Sequence, residues 1–147
     1  MEVNVLETRQ AWLRLFALSS DQELENIVRI SGLESRCSVI AEPEVGIVTV
    51  RSRISGNGAK FNIGDACVTK CEVLLDQQTK GYATVLGGRA RRAKLVAILD
   101  AAMAAQIGEP LFTMVQQLAE AQVLRVAHRR FKAAETKVDF FTMVRGD

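Results

Sequence analysis

The residues best suited to bind an anion lie in the glycine-rich stretch at residues 51–71. Three loop glycines there permit positive φ or a close backbone approach: Gly56, Gly58 and Gly64. Lys60 and Asn62 lie within the stretch. Further cations flank the glycines: Arg51, Arg53 and Lys70. Amide donors and cations gathered in this way would hold an anion, but the simpler interpretation, a long hairpin connection between two strands, stays open.

A second group of cations lies at the predicted beginning of a helix, directly after two glycines. It comprises Arg89, Arg91, Arg92 and Lys94. The helix dipole is positive at this end, so each exposed and unpaired cation would cost about 0.3 to 1 kcal/mol. A ligand phosphate or acidic residues of a partner would turn that cost into attraction, which makes Arg89 and Arg92 anion-binding candidates. The alternative is a solvated basic face with screened charges, and neutralising both arginines would then stabilise the chain.

No group of residues predicts catalysis or a metal site. His128 is the only histidine and lies on an apolar helical stripe, so we expect a packed or partly buried side chain. Cys67 and Cys71 fall on one predicted strand, where roughly 13 Å would separate them, too far for a common metal ion. We interpret both as small core residues. The carboxylates are scattered, and no pair has the spacing of an acid and a base.

The apolar periodicity predicts an α+β fold with an antiparallel sheet of about four strands, two helices before it and two after. We expect a single domain over residues 1–147. The predicted helices are residues 8–18, a second one from the Ser20–Glu23 capping box to Gly32, residues 89–103 and residues 111–135. The predicted strands are residues 37–41, 47–53, 67–75 and 81–87, with a turn at residues 42–46.

Composition narrows the classes of function. The 147 residues carry a net charge of only +2, and one Trp and one Tyr accompany six Phe, so a nucleic-acid-binding protein is disfavoured. No apolar run has the length of a membrane span. Three cysteines and the lack of a signal-like opening favour the reducing cytoplasm.

The end of the chain is unusually apolar after a helix that is already complete. The candidate interface residues there are Val138, Phe140, Phe141 and Met143. Two interpretations stay open: a last strand that folds back on the core, or an arm at residues 138–147 that is buried in another subunit.

Three motifs resemble the PhnG family of the phosphonate carbon–phosphorus lyase system. They are G-x-G-x-x-F-x-x-G-D-A at residues 56–66, V-L-G-x-R at residues 85–89 and V-D-F-F-T-M-V-R-G-D at residues 138–147. The last is the most specific, since no general structural rule demands that string. The resemblance extends over nearly the whole chain.

This resemblance implies a subunit of a multi-subunit transferase, with the H, I, J and L components of the carbon–phosphorus lyase complex as partners. The implied reaction forms ribose methylphosphonate triphosphate as methylphosphonate displaces adenine from ATP. ATP is then a substrate of the assembled complex, and the chain needs no cofactor of its own. The resemblance assigns no catalytic residue to this subunit.

The alternative function is a stand-alone anion- or nucleotide-binding module without catalysis. It requires the glycine-rich loop to converge with Arg89 and Arg92.

Overall fold

A computed structural model of the chain describes residues 8–54 and 56–135. Its elements in chain order are α1 (Arg9–Leu18), α2 (Asp21–Ile30), a 3-10 turn (Glu34–Arg36), β1 (Cys37–Arg53), β2 (Lys60–Leu75), β3 (Thr79–Leu86), α3 (Ala90–Ala104) and α4 (Leu111–Glu135). The strands form one antiparallel sheet in the order β1-β2-β3. The predicted α+β class is confirmed, as are two helices before the sheet and two after it.

Local sequence signals account for the first two helices. The Thr8 hydroxyl accepts a hydrogen bond from the Ala11 amide at the start of α1. At the start of α2, the Ser20 side chain accepts from the Glu23 amide, and the Glu23 carboxylate accepts from the Ser20 amide. The predicted capping box is therefore confirmed, and two amides that the helix leaves unpaired are satisfied.

The sheet has three strands because the turn predicted at residues 42–46 is wrong. β1 continues through this segment as one strand of 17 residues. Pro43 is tolerated because β1 is an edge strand, where a missing amide need not break a ladder hydrogen bond. Register shifts between Val39 and Ala41 and between Ala41 and Glu44 absorb the irregularity. The glycine-rich connection is correspondingly short, since β2 begins at Lys60 and includes Asn62 and Gly64.

One face of the sheet is covered by helix α3. α3 contacts β3 and β2, while α1 and α2 pack against α3, and α4 contacts α1 and α2. Gly81 of β3 allows this close approach, because a Cβ at that position would overlap the Ala97 carbonyl. The inward residues of β2 and β3 are buried at Cys71, Val73, Leu75, Gly81, Ala83 and Val85. The core therefore lies between α3 and this face.

The second half of α4 extends beyond that core. Its buried residues are Leu111, Val115, Leu118, Ala119 and Gln122. Leu124 and Phe131 are 71% and 65% exposed, and His128 is exposed as well, so the prediction of a packed histidine is wrong. The cause is length: 25 residues of helix extend about 37 Å, whereas the 15 residues of α3 extend about 22 Å. Among the helices described, none is long and apolar enough to cross a membrane.

The sheet also extends beyond the core, as a two-stranded ribbon. β3 pairs with β2 only from Val68 to Leu75. Past this point β1 and β2 continue together from the Ile47 and Cys67 pair to the Arg53 and Lys60 pair. We call residues 47–53 and 60–67 the ribbon, and no helix of the described residues covers it.

Candidate interaction surface

Arg92 occupies the C-terminal end of α1. Its guanidinium is buried and donates hydrogen bonds to the carbonyl oxygens of Phe16, Ala17 and Ser19 at 3.0, 2.9 and 2.7 Å. It also forms an ion pair with Asp21 at the start of α2. A helix leaves its last carbonyls unpaired and its dipole negative at this end, so a cation fits both needs. The charge of Arg92 is thus already neutralised within the chain.

The neighbouring cations of α3 also find partners close by. Arg91 pairs with Glu25, and Lys94 lies 4.0 Å from Glu34. Arg89 differs: it is exposed, and within the described residues it forms no ion pair. Its backbone amide donates to the Thr69 hydroxyl at 2.9 Å, which fixes the beginning of α3. Three of the four cations predicted at this helix therefore face acidic residues of the chain itself.

Of the cations predicted around the glycine-rich stretch, Arg51, Arg53 and Lys60 meet at the tip of the ribbon, whereas Lys70 lies opposite Glu44, away from the tip. In the antiparallel register Arg53 faces Lys60 and Arg51 faces Asn62, so all four side chains point to one face. A cavity of about 510 Å³ lies beside them, lined by Arg51, Ser52, Arg53, Gly56 and Lys60. No carboxylate of the described residues pairs with these cations. We call Arg51, Arg53, Lys60 and Asn62 the basic tip.

The loop glycines form a hairpin connection between β1 and β2. Gly56 has φ +74°, which favours glycine, and a Cβ on Gly58 would overlap the Ile54 carbonyl. The Gly58 amide donates to that same carbonyl at 2.8 Å, so this donor is used inside the loop. Gly64 lies in β2 opposite Val50 and has open space around it. The side chains of the basic tip, not a nest of loop amides, supply its positive charge.

The structure separates the two basic regions. A Cβ added to Gly88, next to Arg89, would lie 4.0 Å from the Val45 side chain at the base of the ribbon. Val45 and Arg53 are eight residue steps apart along the strand, a distance of about 26 Å. The loop and the α3 cations therefore do not converge, and the nucleotide-binding module that required their convergence is not supported.

The cysteines lie where the strand interpretation placed them, but only one has a core position. Cys71 is buried and its thiol lies 3.5 Å from the Ala41 carbonyl oxygen, whereas Cys67 is exposed, so its prediction as a core residue is wrong. Burial raises the pKa of Cys37 to about 11, and burial also raises the pKa of Cys71. In the described part of the chain, no three side chains of the metal-binding types come together.

A buried carboxylate that the sequence interpretation missed joins α1, α3 and the sheet edge. Asp100 is fully buried and accepts hydrogen bonds from the Trp12 indole at 3.0 Å and the Tyr82 amide at 2.8 Å. Arg9 completes its shell with an ion pair. The available signal was an aspartate inside the apolar helical run around Ile98 and Leu99, since a charge in such a place requires partners.

Large apolar side chains remain exposed on both structures that extend beyond the core. On or beside the ribbon they are Val45, Ile47, Val50, Ile54, Phe61 and Ile63; on α4 they are Val123, Leu124 and Phe131. Ile47 is the most exposed of them, at 74%. The apolar residues predicted at an interface, Val138, Phe140, Phe141 and Met143, lie outside the described residues.

These features describe an α+β protein with exposed cations at the tip of the ribbon and exposed apolar side chains on the ribbon and on α4. The chain belongs to the PhnG family: the family model described as phosphonate metabolism protein PhnG matches residues 7–146. It is 36% identical over 143 residues to the alpha-D-ribose 1-methylphosphonate 5-triphosphate synthase subunit PhnG of Rhizobium meliloti (strain 1021). That match covers 95% of this chain and 90% of the relative. The resemblance noted from the three motifs is confirmed.

Proposed function

We propose that the chain is a subunit of the synthase that forms alpha-D-ribose 1-methylphosphonate 5-triphosphate, and that it acts there as a binding partner. The observation that carries this proposal is membership of the PhnG family, together with the subunit name of the 36% identical relative. In the reaction that we propose, methylphosphonate displaces adenine from ATP. ATP is a substrate of the assembled enzyme, and this chain supplies no cofactor.

The proposed partners are the H, I, J and L components of the carbon–phosphorus lyase complex. Two uncovered structures support such a role: the ribbon and the second half of α4 both present large apolar side chains away from the core. Surfaces of this composition are typical of residues that become buried against another protein.

The arrangement of titratable groups supports a partner role as well. Among the described residues, the two ion pairs with a buried member, Arg92 with Asp21 and Arg9 with Asp100, hold helices together. Burial raises the pKa of Cys37 and of Cys71, which keeps these thiols protonated and unreactive near neutral pH.

Adenine release by the recombinant H, I and L components tests the proposal. The reaction contains ATP and methylphosphonate, and is run without the chain, with the full chain, and with a version that ends at Thr136. We expect release only when the full chain is present. We also expect the shortened version neither to co-purify nor to support release, because it lacks the apolar tail that we propose as an interface arm.

The controls separate assembly from folding. Circular dichroism of the shortened chain must show the helical content of the full chain, so that loss of release reflects a lost contact. Adenine release that is indifferent to the chain would contradict the proposed function.

A further inference from the structure

The ribbon combines three properties that no other part of the described chain combines. It extends beyond the pairing with β3, it carries exposed apolar side chains along its length, and it ends in the basic tip. We propose that the ribbon is a docking arm for an acidic surface on another protein subunit, whose carboxylates pair with Arg51, Arg53 and Lys60. This inference rests on the proposed function, since it names the chemistry of one partner.

The charge arrangement points to an external partner. Arg53 and Lys60 face each other across the strands, and like charges in that position destabilise a pair of strands. The nearest carboxylate on this face is Asp65, opposite Thr49, whose hydroxyl donates to it at 2.9 Å. Asp65 forms no ion pair with Arg51. Carboxylates from outside the chain would relieve the repulsion and stabilise the tip.

The face of the ribbon that carries the basic tip is apolar near the base of the ribbon and basic at its end. Side chains alternate between the faces of a strand, so Ile47, Thr49, Arg51 and Arg53 lie on one face in this order. Ile47 is exposed near the base of the ribbon, and the cations are at its end. A complementary surface would bury the isoleucine and place its carboxylates about 13 to 20 Å further along.

Within residues 8–54 and 56–135, the backbone of the ribbon also has unpaired edges. β1 is an edge strand throughout, and residues 60–66 of β2 pair with β1 alone, because β3 begins its pairing at Val68. Free amides and carbonyls on such an edge accept a further strand from another protein. A phosphate-bearing small molecule makes no use of these edges.

A second copy of the chain and a free nucleotide both fit the ribbon poorly. A two-fold contact between basic tips would place cations against cations. Arg51, Arg53 and Lys60 line one cavity, but the Gly58 amide is already used inside the loop, and a nucleotide held there would leave Ile47 and the strand edges uncovered. The observations therefore favour an acidic protein surface.

A charge-reversal variant of the full chain tests the docking arm. It carries Arg51→Glu, Arg53→Glu and Lys60→Glu. The matched control carries Arg14→Glu, Arg29→Glu and Lys80→Glu, three exposed cations that form no ion pair and change the net charge equally. The dissociation constant for each purified H, I, J and L component is measured by titration calorimetry at two salt concentrations.

We expect the ribbon variant to bind one component about 30-fold or more weakly than the wild type, while the control variant changes little. The wild-type affinity for that component should fall with salt more steeply than that of the ribbon variant. Complex formation should also slow alkylation of the exposed Cys67 thiol on the ribbon. The unfolding midpoint of the ribbon variant should match that of the wild type.

Three outcomes overturn the docking arm. The first is that the ribbon variant binds every component as tightly as the control does. The second is that the wild-type chain alone binds ATP or duplex DNA and the ribbon variant does not. The third is that Cys67 is alkylated as fast in every complex as in the free chain. If the wild-type chain binds no component at all, the proposed function fails together with the arm. If wild type and both variants bind alike, the arm alone fails.

Discussion

In the helical layer, formed by α1, α2 and α3, three of the four cations at the start of α3 have acidic partners within the chain, whereas the cations at the tip of the ribbon have none among the described residues. In the helical layer, Arg92 is surrounded by three backbone carbonyls and Asp21, all within the chain. In the ribbon, Arg53 faces Lys60 and donates one long hydrogen bond, of 3.4 Å, to the Gly58 carbonyl, and no carboxylate of the described residues pairs with either cation. Both regions look alike in the sequence, as groups of three or four cations near glycines. The difference lies in which groups the fold places opposite them. The paired α3 cations therefore stabilise the folded chain, and the cations of the basic tip remain exposed.

The largest expected effect on the free energy of unfolding is at Asp100. It shows how strongly the stability of the helical layer depends on pairs within the chain. Asp100→Asn removes the charge that Arg9 pairs with, and its NH2 group replaces one of the two acceptor oxygens that face the Trp12 indole and the Tyr82 amide. We expect a loss of about 3 to 5 kcal/mol in the free energy of unfolding, measured by urea denaturation. Asp76→Asn, which breaks the exposed pair with Arg36, is the control and should change little. Equal losses of stability at Asp100 and Asp76 would contradict the structural role assigned to the buried Asp100 carboxylate.

The next effect, at Arg92, decides between the two interpretations of the α3 cations. Arg92→Met keeps the apolar stem and removes the donors to the end of α1. We expect a loss of about 2 to 3 kcal/mol in the free energy of unfolding. Arg91→Met removes an exposed pair with Glu25 and should cost under about 1 kcal/mol. A stabilised Arg92→Met chain would contradict the internal pairing of Arg92 and would agree instead with a solvated basic face of screened charges.

Alkaline pH provides a smaller test at the boundary between the core and the sheet edge. The pKa of Cys37 is raised from 9.0 to about 11, first by burial and then by the charge of Asp76. The folded chain therefore holds a proton that the unfolded chain releases above pH 9. The stabilising contribution is fully present below pH 9 and is lost as pH rises toward about 11. Urea midpoints across this range should fall less steeply for Cys37→Ala than for the wild type; identical slopes would contradict the raised pKa.

The smallest effect is expected in the ribbon, and its sign is the informative part. Arg53→Gln removes the like-charge pair with Lys60 and one long, exposed hydrogen bond of 3.4 Å to the Gly58 carbonyl. We expect the free energy of unfolding to stay constant or to rise by up to about 0.5 kcal/mol. Arg14→Gln, an exposed cation on α1, is the control. A loss of more than 1 kcal/mol at Arg53 would mean that the ribbon cations stabilise the monomer and would remove the contrast with the helical layer.

The sequence predicted the helices well because their signals are local. The Ser20–Glu23 capping box and the Trp12, Leu15 and Phe16 spacing depend on neighbours within one or two turns, and the structure shows both. The strand prediction failed at Pro43, because proline signals a turn unless the strand lies at a sheet edge. Edge position follows from the strand order, which no local pattern contains.

The candidate site was harder to predict because its meaning depends on distant residues. The partners of Arg92 lie more than 70 positions away in α1 and α2, so the sequence showed the cations of α3 without their carboxylates. Periodicity extends the apolar stripe of α4 through Leu124 to Phe131, because it carries no information on the length of the neighbouring helices. The basic tip was predicted residue by residue, and the register of β1 and β2 then placed its members on one face.

Activation of adenine release by added chain is the most direct test of the central claim that the ribbon binds a partner and takes no part in the reaction. The H, I and L components are held constant while the wild-type chain, or the chain with Arg51→Glu, Arg53→Glu and Lys60→Glu, is titrated. We predict that both reach the same saturating rate, and that the variant needs about 30-fold more chain for half of it. A variant that saturates at a rate far below the wild type would contradict the account, because the cations would then act on the reacting groups.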